Sequence, residues 1–141
     1  MFGRLFGFRV TDVDLPALLS DPTGPLMLLE TPNVRALAEV RGFEARAIGQ
    51  QDVRAFANTV GRFVARHGEL KARLLVVNPQ AQLPPGQRAR PSADVVRAAA
   101  REGIALLTTD SLLNLIERWR AGEIDLAGLE ARLATPGELR P

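Results

Sequence analysis

The sequence has no cysteine, no tyrosine and a single histidine. Without cysteine there are no disulfide frameworks, thiolate zinc sites or cysteine nucleophiles. One histidine, His67, excludes any multi-histidine metal site. Long apolar runs are lacking too: stretches such as Pro25 to Leu29 and Leu74 to Val77 reach about a quarter of the ~20 residues that a membrane-crossing helix needs. The N-terminal MFGRLFGFRV carries phenylalanine and arginine but not the unbroken apolar core, roughly 7 to 15 residues, of a secretion signal. A cytoplasmic location with no membrane partner is therefore expected. Lysine is nearly absent, since 17 of the 18 basic residues are arginine. That excess suits bidentate phosphate recognition, and it follows equally from genomic base composition.

What is present suffices for one ordinary domain over residues 1–141: 46% of the residues are hydrophobic, enough to form a core without any covalent staple. The net charge of +2 is unevenly spread. Residues 1–50 sum to −1, residues 51–103 to +5 and residues 104–141 to −2, so the middle of the chain is the part suited to face an anion.

Phe6, Phe8 and Val10 alternate with Gly7, Arg9 and Thr11, the period of a half-buried strand over 6–13. Leu26 to Glu30 and Val34 to Arg41 flank Thr31-Pro32-Asn33 like the arms of a hairpin. From Gln51 to Arg66, the residues Val53, Phe56, Val60, Phe63 and Val64 close on one helical face, and Gly68 stops the helix. Arg73 to Asn78 is a continuous apolar run, as a strand buried on both faces requires. A proline-rich loop over 79–91 follows, then a helix capped by Ser92 and stopped by Gly103. Ile104 to Thr108 is the next strand. Thr109 or Asp110 caps a leucine-rich helix that carries Trp119, and a short helix over 125–133 ends the pattern. The order βββαβαβαα predicts an α/β fold with a mixed sheet and helices on its faces.

Three stretches carry a family resemblance: LFGFRVTDV near the N-terminus, AEVRGFEARAIGQQDVRAF from Ala38 to Phe56, and the segment from Arg73 to Ile124 that includes LLVVN, PPGQR and LLTT. In order and spacing they resemble the restriction-endonuclease-like superfamily, the PD-(D/E)xK nucleases, over most of the chain. The resemblance implies that superfamily's core and phosphodiester hydrolysis, in which two carboxylates hold Mg2+ and a nearby lysine faces the attacking water. Glu39 stands at the second carboxylate and Arg41 at the lysine position. Arginine keeps the charge and grips phosphate, but it is a poor proton acceptor. For the first carboxylate the residues on offer are Asp21 and Glu30, neither in register, and Ala55 occupies the place of the family's helix glutamine. The helix that ordinarily precedes the first strand has no counterpart in the sequence.

Each of these residues has a plainer role beside the chemical one. Glu39 also reads as a solvent-facing strand residue paired with Arg41. Arg54, Arg62 and Arg66 read as a nucleic-acid track or as a solvated helix face, and Arg88 as a phosphate contact or an anchor for its own loop. His67 reads as a partner of the helix dipole. The three departures at Arg41, Ala55 and the first carboxylate favour a degenerate nuclease-fold domain that serves as a binding or assembly module, without a cofactor. The alternatives are a Mg2+-dependent endonuclease using Glu39 with Asp21 or Glu30, and a Rossmann-like nucleotide-binding domain. The Rossmann-like reading lacks a glycine-rich turn after Asn78. Nucleic-acid binding, where it occurs, is expected to be salt-sensitive and without sequence preference. A missing first helix would leave Phe2, Leu5, Phe6 and Phe8 uncovered, which predicts a homodimer or docking on a larger assembly.

Overall fold

A computed structural model describes residues 6–13 and 25–140. In them the chain runs β1 (Arg9–Asp12), β2 (Leu26–Glu30), β3 (Arg35–Gly42), α1 (Gln50–His67), β4 (Ala72–Asn78), α2 (Ala93–Arg101), β5 (Ala105–Thr108), α3 (Thr109–Arg120), α4 (Leu126–Leu133) and β6 (Gly137–Glu138). All six strands form one sheet in chain order. The first three pair antiparallel, and β3 through β6 pair parallel.

This is the mixed α/β architecture the sequence pattern predicts, with one addition and one exclusion. The addition is β6, whose two residues are too short to leave a periodic signal. It exists because Gly137 N–H donates to Ile104 O at 2.9 Å and Leu139 N–H to Leu106 O at 2.8 Å. The exclusion is the Rossmann-like alternative. That fold needs a mostly parallel sheet whose strand order reverses, whereas here the order follows the chain and two of the five strand pairings are antiparallel.

Alternation along the strands divides the core between two faces. On one face Ala36, Ala38, Leu74, Val76, Ala105 and Leu107 pack under α3 and α4. On the other, Leu37, Leu75, Val77 and Leu106 pack under α1 and α2, against Val53, Phe56, Val60 and Phe63. The continuous apolar run of β4 reflects this double covering: Leu74, Leu75, Val76 and Val77 are all buried. Glycine closes α1, because Gly68 takes φ +87°, and its N–H donates to Val64 O at 2.9 Å.

The expectation of uncovered phenylalanines is corrected at the two positions that are described. Phe6 and Phe8 are 3% and 4% exposed and belong to the α3/α4 core. Phe6 meets Trp119 edge-on with ring centroids 5.4 Å apart, so α3 supplies the cover. Phe2 and Leu5 lie outside the described residues. No helix among the described residues is long and apolar enough to cross a membrane.

Candidate functional site

Residues two apart on a strand share a face, and Glu39 and Arg41 both point from β3 toward α1. Glu39 lies in register between Leu26 of β2 and Leu75 of β4, two residues of the apolar layer on that face. It is 0% exposed, which corrects the expectation of a solvent-facing carboxylate. A charge placed there needs compensation, since transfer of an ion out of water costs several kcal/mol even after relaxation, ~20 kcal/mol in the idealised limit. Arg41 provides it, with Nε 3.2 Å from Glu39 Oε2 and its side chain 8% exposed.

The other end of the Arg41 guanidinium reaches Asp52, with Nη1 3.4 Å from Oδ1. Asp52 is the third residue of α1, after the N-cap Gly49. Its Oδ2 accepts from the Gly49 N–H at 2.8 Å, which satisfies a donor that the start of a helix leaves open. Arg46, on the loop between β3 and α1, then clamps both Asp52 oxygens at 2.7 and 2.9 Å. Its guanidinium stacks 3.7 Å from the Phe43 ring centroid. Burial pushes the Asp52 carboxyl up, but the Arg46 hydrogen bonds, the Gly49 N–H and the two guanidinium charges outweigh it and hold the group below the ordinary carboxylate value. Arg46 is raised in return by its bond to Asp52. The result is a chain Glu39–Arg41–Asp52–Arg46, two carboxylates against two guanidiniums, closing one end of the sheet face.

A magnesium ion does not fit these residues. It wants near-octahedral oxygen at about 2.0–2.1 Å and is held by carboxylates turned toward it. Here Arg41 stands between Glu39 and Asp52, and Arg46 takes both oxygens of Asp52. No group of three or more His, Asp or Glu that could hold a metal forms among the described residues.

The remaining candidates fall elsewhere. Glu30 ends β2 opposite Arg35, whereas Glu39 pairs with Leu26, so the two carboxylates sit at opposite ends of the hairpin and are not brought together. Glu30 instead pairs with Arg9 at 2.7 Å. Asp21 lies outside the described residues. Arg54, Arg62 and Arg66 occupy exposed positions on α1, spread over roughly 18 Å at 1.5 Å per residue. Arg88 is not with them. Its guanidinium donates to Leu83 O at 2.9 Å and to Asn78 Oδ1 at 2.7 Å, which makes it the anchor of its own loop. Asn78 also accepts from Thr109 Oγ1 at 3.0 Å, tying the end of β4 to the start of α3. His67 sits in the last turn of α1 with its ring 4.7 Å from Phe63.

Two members of the charge cluster escaped the sequence reading. Asp52 left a signal, an acid three residues after a glycine at a helix start, which is where a carboxylate satisfies the N-cap amide. Arg46 left none, because only the fold brings that loop position over α1.

No family model matches the chain, and no curated protein matches it either. A solved structure does: restriction endonuclease FokI superposes with a TM-score of 0.65 at 11% sequence identity, over 99% of this chain. The fold is restriction-endonuclease-like. The chain spans 26% of the length of FokI, and at that identity the likeness concerns the fold.

Proposed function

We propose that this chain is a nuclease-fold domain that binds rather than cuts, as a binding or assembly module associated with nucleic acid. The observation that carries the reading is the closed chain Glu39–Arg41–Asp52–Arg46 at the place where the resemblance puts a metal-dependent active site. A catalytic carboxylate pair must turn toward a metal and a water. These two carboxylates are turned toward guanidiniums, and arginine, which stays protonated throughout the working pH range, does not serve as a base.

The likeness to a protein named as a restriction endonuclease supports a role connected with nucleic acid. The exposed positions of Arg54, Arg62 and Arg66 on α1 supply a basic side for it, within the part of the sequence that carries +5. Binding through such a side is electrostatic, weakens steeply with salt and does not read sequence. The partner we propose is a second copy or a larger assembly. Light scattering across concentration tests it.

The deciding experiment is incubation of the purified chain with single- and double-stranded DNA and RNA in Mg2+ or Mn2+. The expected outcome is retention on a gel at low salt with the substrate intact. Cleavage that disappears in Glu39→Gln overturns the reading. It would favour the Mg2+-dependent endonuclease in which Glu39 is a working carboxylate.

A further inference from the structure

The parallel strands β4 and β5 run in register to Val77 and Thr108, and beyond their carboxyl ends a cleft of about 300 Å3 opens between loop 79–91 and α3. At that end of parallel strands the chain diverges toward loops on either side, which leaves a natural crevice for a ligand. The volume is at the lower end of the roughly 300–1,000 Å3 of small-molecule sites, room for one nucleotide unit. None of Glu39, Arg41, Arg46 and Asp52 lines it.

Two walls face each other. One is α3, which presents Asp110, Ser111 and Asn114; the other is the loop, which presents Gly86, Ala89 and Arg90. Arg88 also lines the cleft, and it fixes the loop wall by donating to Leu83 O and Asn78 Oδ1, while Gln80 Oε1 accepts from the Ala89 N–H at 2.7 Å. Asp110 meets the loop through a long bond from Gly86 N–H to Oδ2 at 3.3 Å, and its buried Oδ1 lies 3.9 Å from Arg88 Nη1; 37% of the side chain stays exposed, so Oδ2 is the oxygen that faces the cleft. Ser111 Oγ accepts from Thr108 Oγ1 at 3.1 Å and keeps its own proton to donate. Arg90, 67% exposed, pairs with Glu138 at 3.2 Å, a surface contact that an incoming anion displaces readily.

The cleft therefore offers a carboxylate acceptor, a hydroxyl donor and an amide along one wall, with a guanidinium on the other. A planar ring bearing N–H groups, joined to a phosphate, meets that set. We propose that this cleft binds one nucleotide unit, with Asp110 accepting from an N–H on the base edge and Arg90 taking the phosphate. A free nucleoside monophosphate and the 5′-phosphorylated end of a strand present the same chemistry. The inference goes beyond the reading of the Glu39 cluster and does not depend on it.

The test is titration of the isotope-labelled full chain, followed by amide chemical shifts, in two arms. One arm uses the nucleoside 5′-monophosphates, the other a short 5′-phosphorylated oligonucleotide. The expected result is saturable shifts at Gly86, Ala89, Arg90, Ser111 and Asn114, with the tighter arm naming the source. Arg90→Ala should weaken binding about tenfold, the weight of one charge-assisted hydrogen bond, and leave an unphosphorylated nucleoside unaffected. Asp110→Asn should weaken both phosphorylated and unphosphorylated ligands. Ala89→Trp, at an exposed position, should close the cleft and abolish the shifts while the thermal melt stays unchanged. Absence of saturable shifts in both arms, shifts confined to α1, or wild-type binding by Ala89→Trp each overturns the proposal.

Discussion

Two arginine-centred regions sit near each other at one edge of the molecule, and they use arginine in opposite ways. At the end of β3, Arg41 and Arg46 meet carboxylates, so charge cancels inside a closed, largely buried chain. At the end of β4, Arg88 meets the carbonyls of Leu83 and Ala81 and the side-chain oxygen of Asn78, and the nearest carboxylate, Asp110, is 3.9 Å away. Loop hydrogen bonds join the two regions, among them Phe43 N–H to Asn78 O at 3.0 Å and Ala81 N–H to Phe43 O at 2.9 Å. The first arrangement turns its charges on one another. The second holds a loop in shape with neutral acceptors, and so keeps Asp110 and Arg90 turned toward a cleft. At the end of β3 the described carboxylates meet arginines, and beside them Asp110 and Arg90 line an open cleft.

The largest effect expected from breaking this contrast is at Asp52. Asp52→Ala leaves Arg41 buried without one of its two anions and removes the partner of Arg46 and of the Gly49 N–H. Breaking a buried pair of this kind costs about 3–5 kcal/mol. Chemical denaturation should show it as a lower midpoint with an unchanged slope, and a loss under about 1 kcal/mol would mark the cluster as an ordinary surface network. The same group sets an acid limb. Because the folded carboxyl of Asp52 is held below its ordinary value, its contribution is complete above about pH 4 and is lost as pH falls through the lower, folded value. Asp52→Asn keeps an acceptor for the Gly49 N–H but removes the titration. Melts between neutral and strongly acid pH should therefore fall less steeply in the variant than in the wild type.

Much of this architecture is legible in the sequence, for reasons that can be named. The Thr31-Pro32-Asn33 hairpin, the doubly apolar β4 and the Ser92 cap are local signals, and the structure keeps each: Ser92 Oγ accepts from the Val95 N–H at 3.3 Å. Boundaries slip where a neighbour decides them. Thr108, the last residue of β5, is itself the cap of α3 and accepts from Ser111 N–H at 3.2 Å, a step earlier than Thr109 or Asp110. The site is less legible than the fold. Period two places Glu39 and Arg41 on one face, but the depth of that face depends on Leu26 and Leu75, contributed by other strands. Arg46 reaches Asp52 through a loop whose course is fixed by bonds to residues 78–82, so no local pattern could have joined them.

Smaller effects sharpen the other half of the comparison. Arg88→Ala removes the anchor of the loop wall and should cost about 1–3 kcal/mol, with faster amide hydrogen exchange across residues 79–91 and little change in α1. Unchanged exchange in that loop would show that the guanidinium is not what shapes it. Smallest of all in stability is Arg54→Glu with Arg62→Glu, at exposed positions where each change is worth no more than about 0.5 kcal/mol. The melt should hardly move, while nucleic-acid retention weakens and its dependence on salt becomes shallower. Retention that is unaffected by this reversal of charge would remove α1 from the binding surface.

The central claim is that the arginines keep a divalent metal out of the end of β3. Titration of the labelled chain with Mn2+, followed by paramagnetic broadening of its amides, tests this most directly. The account predicts only the diffuse broadening typical of exposed acidic side chains, with the amides of Glu39, Arg41 and Asp52 no more affected than their neighbours. Selective, saturable broadening centred on those three amides and relieved in Glu39→Gln would contradict it.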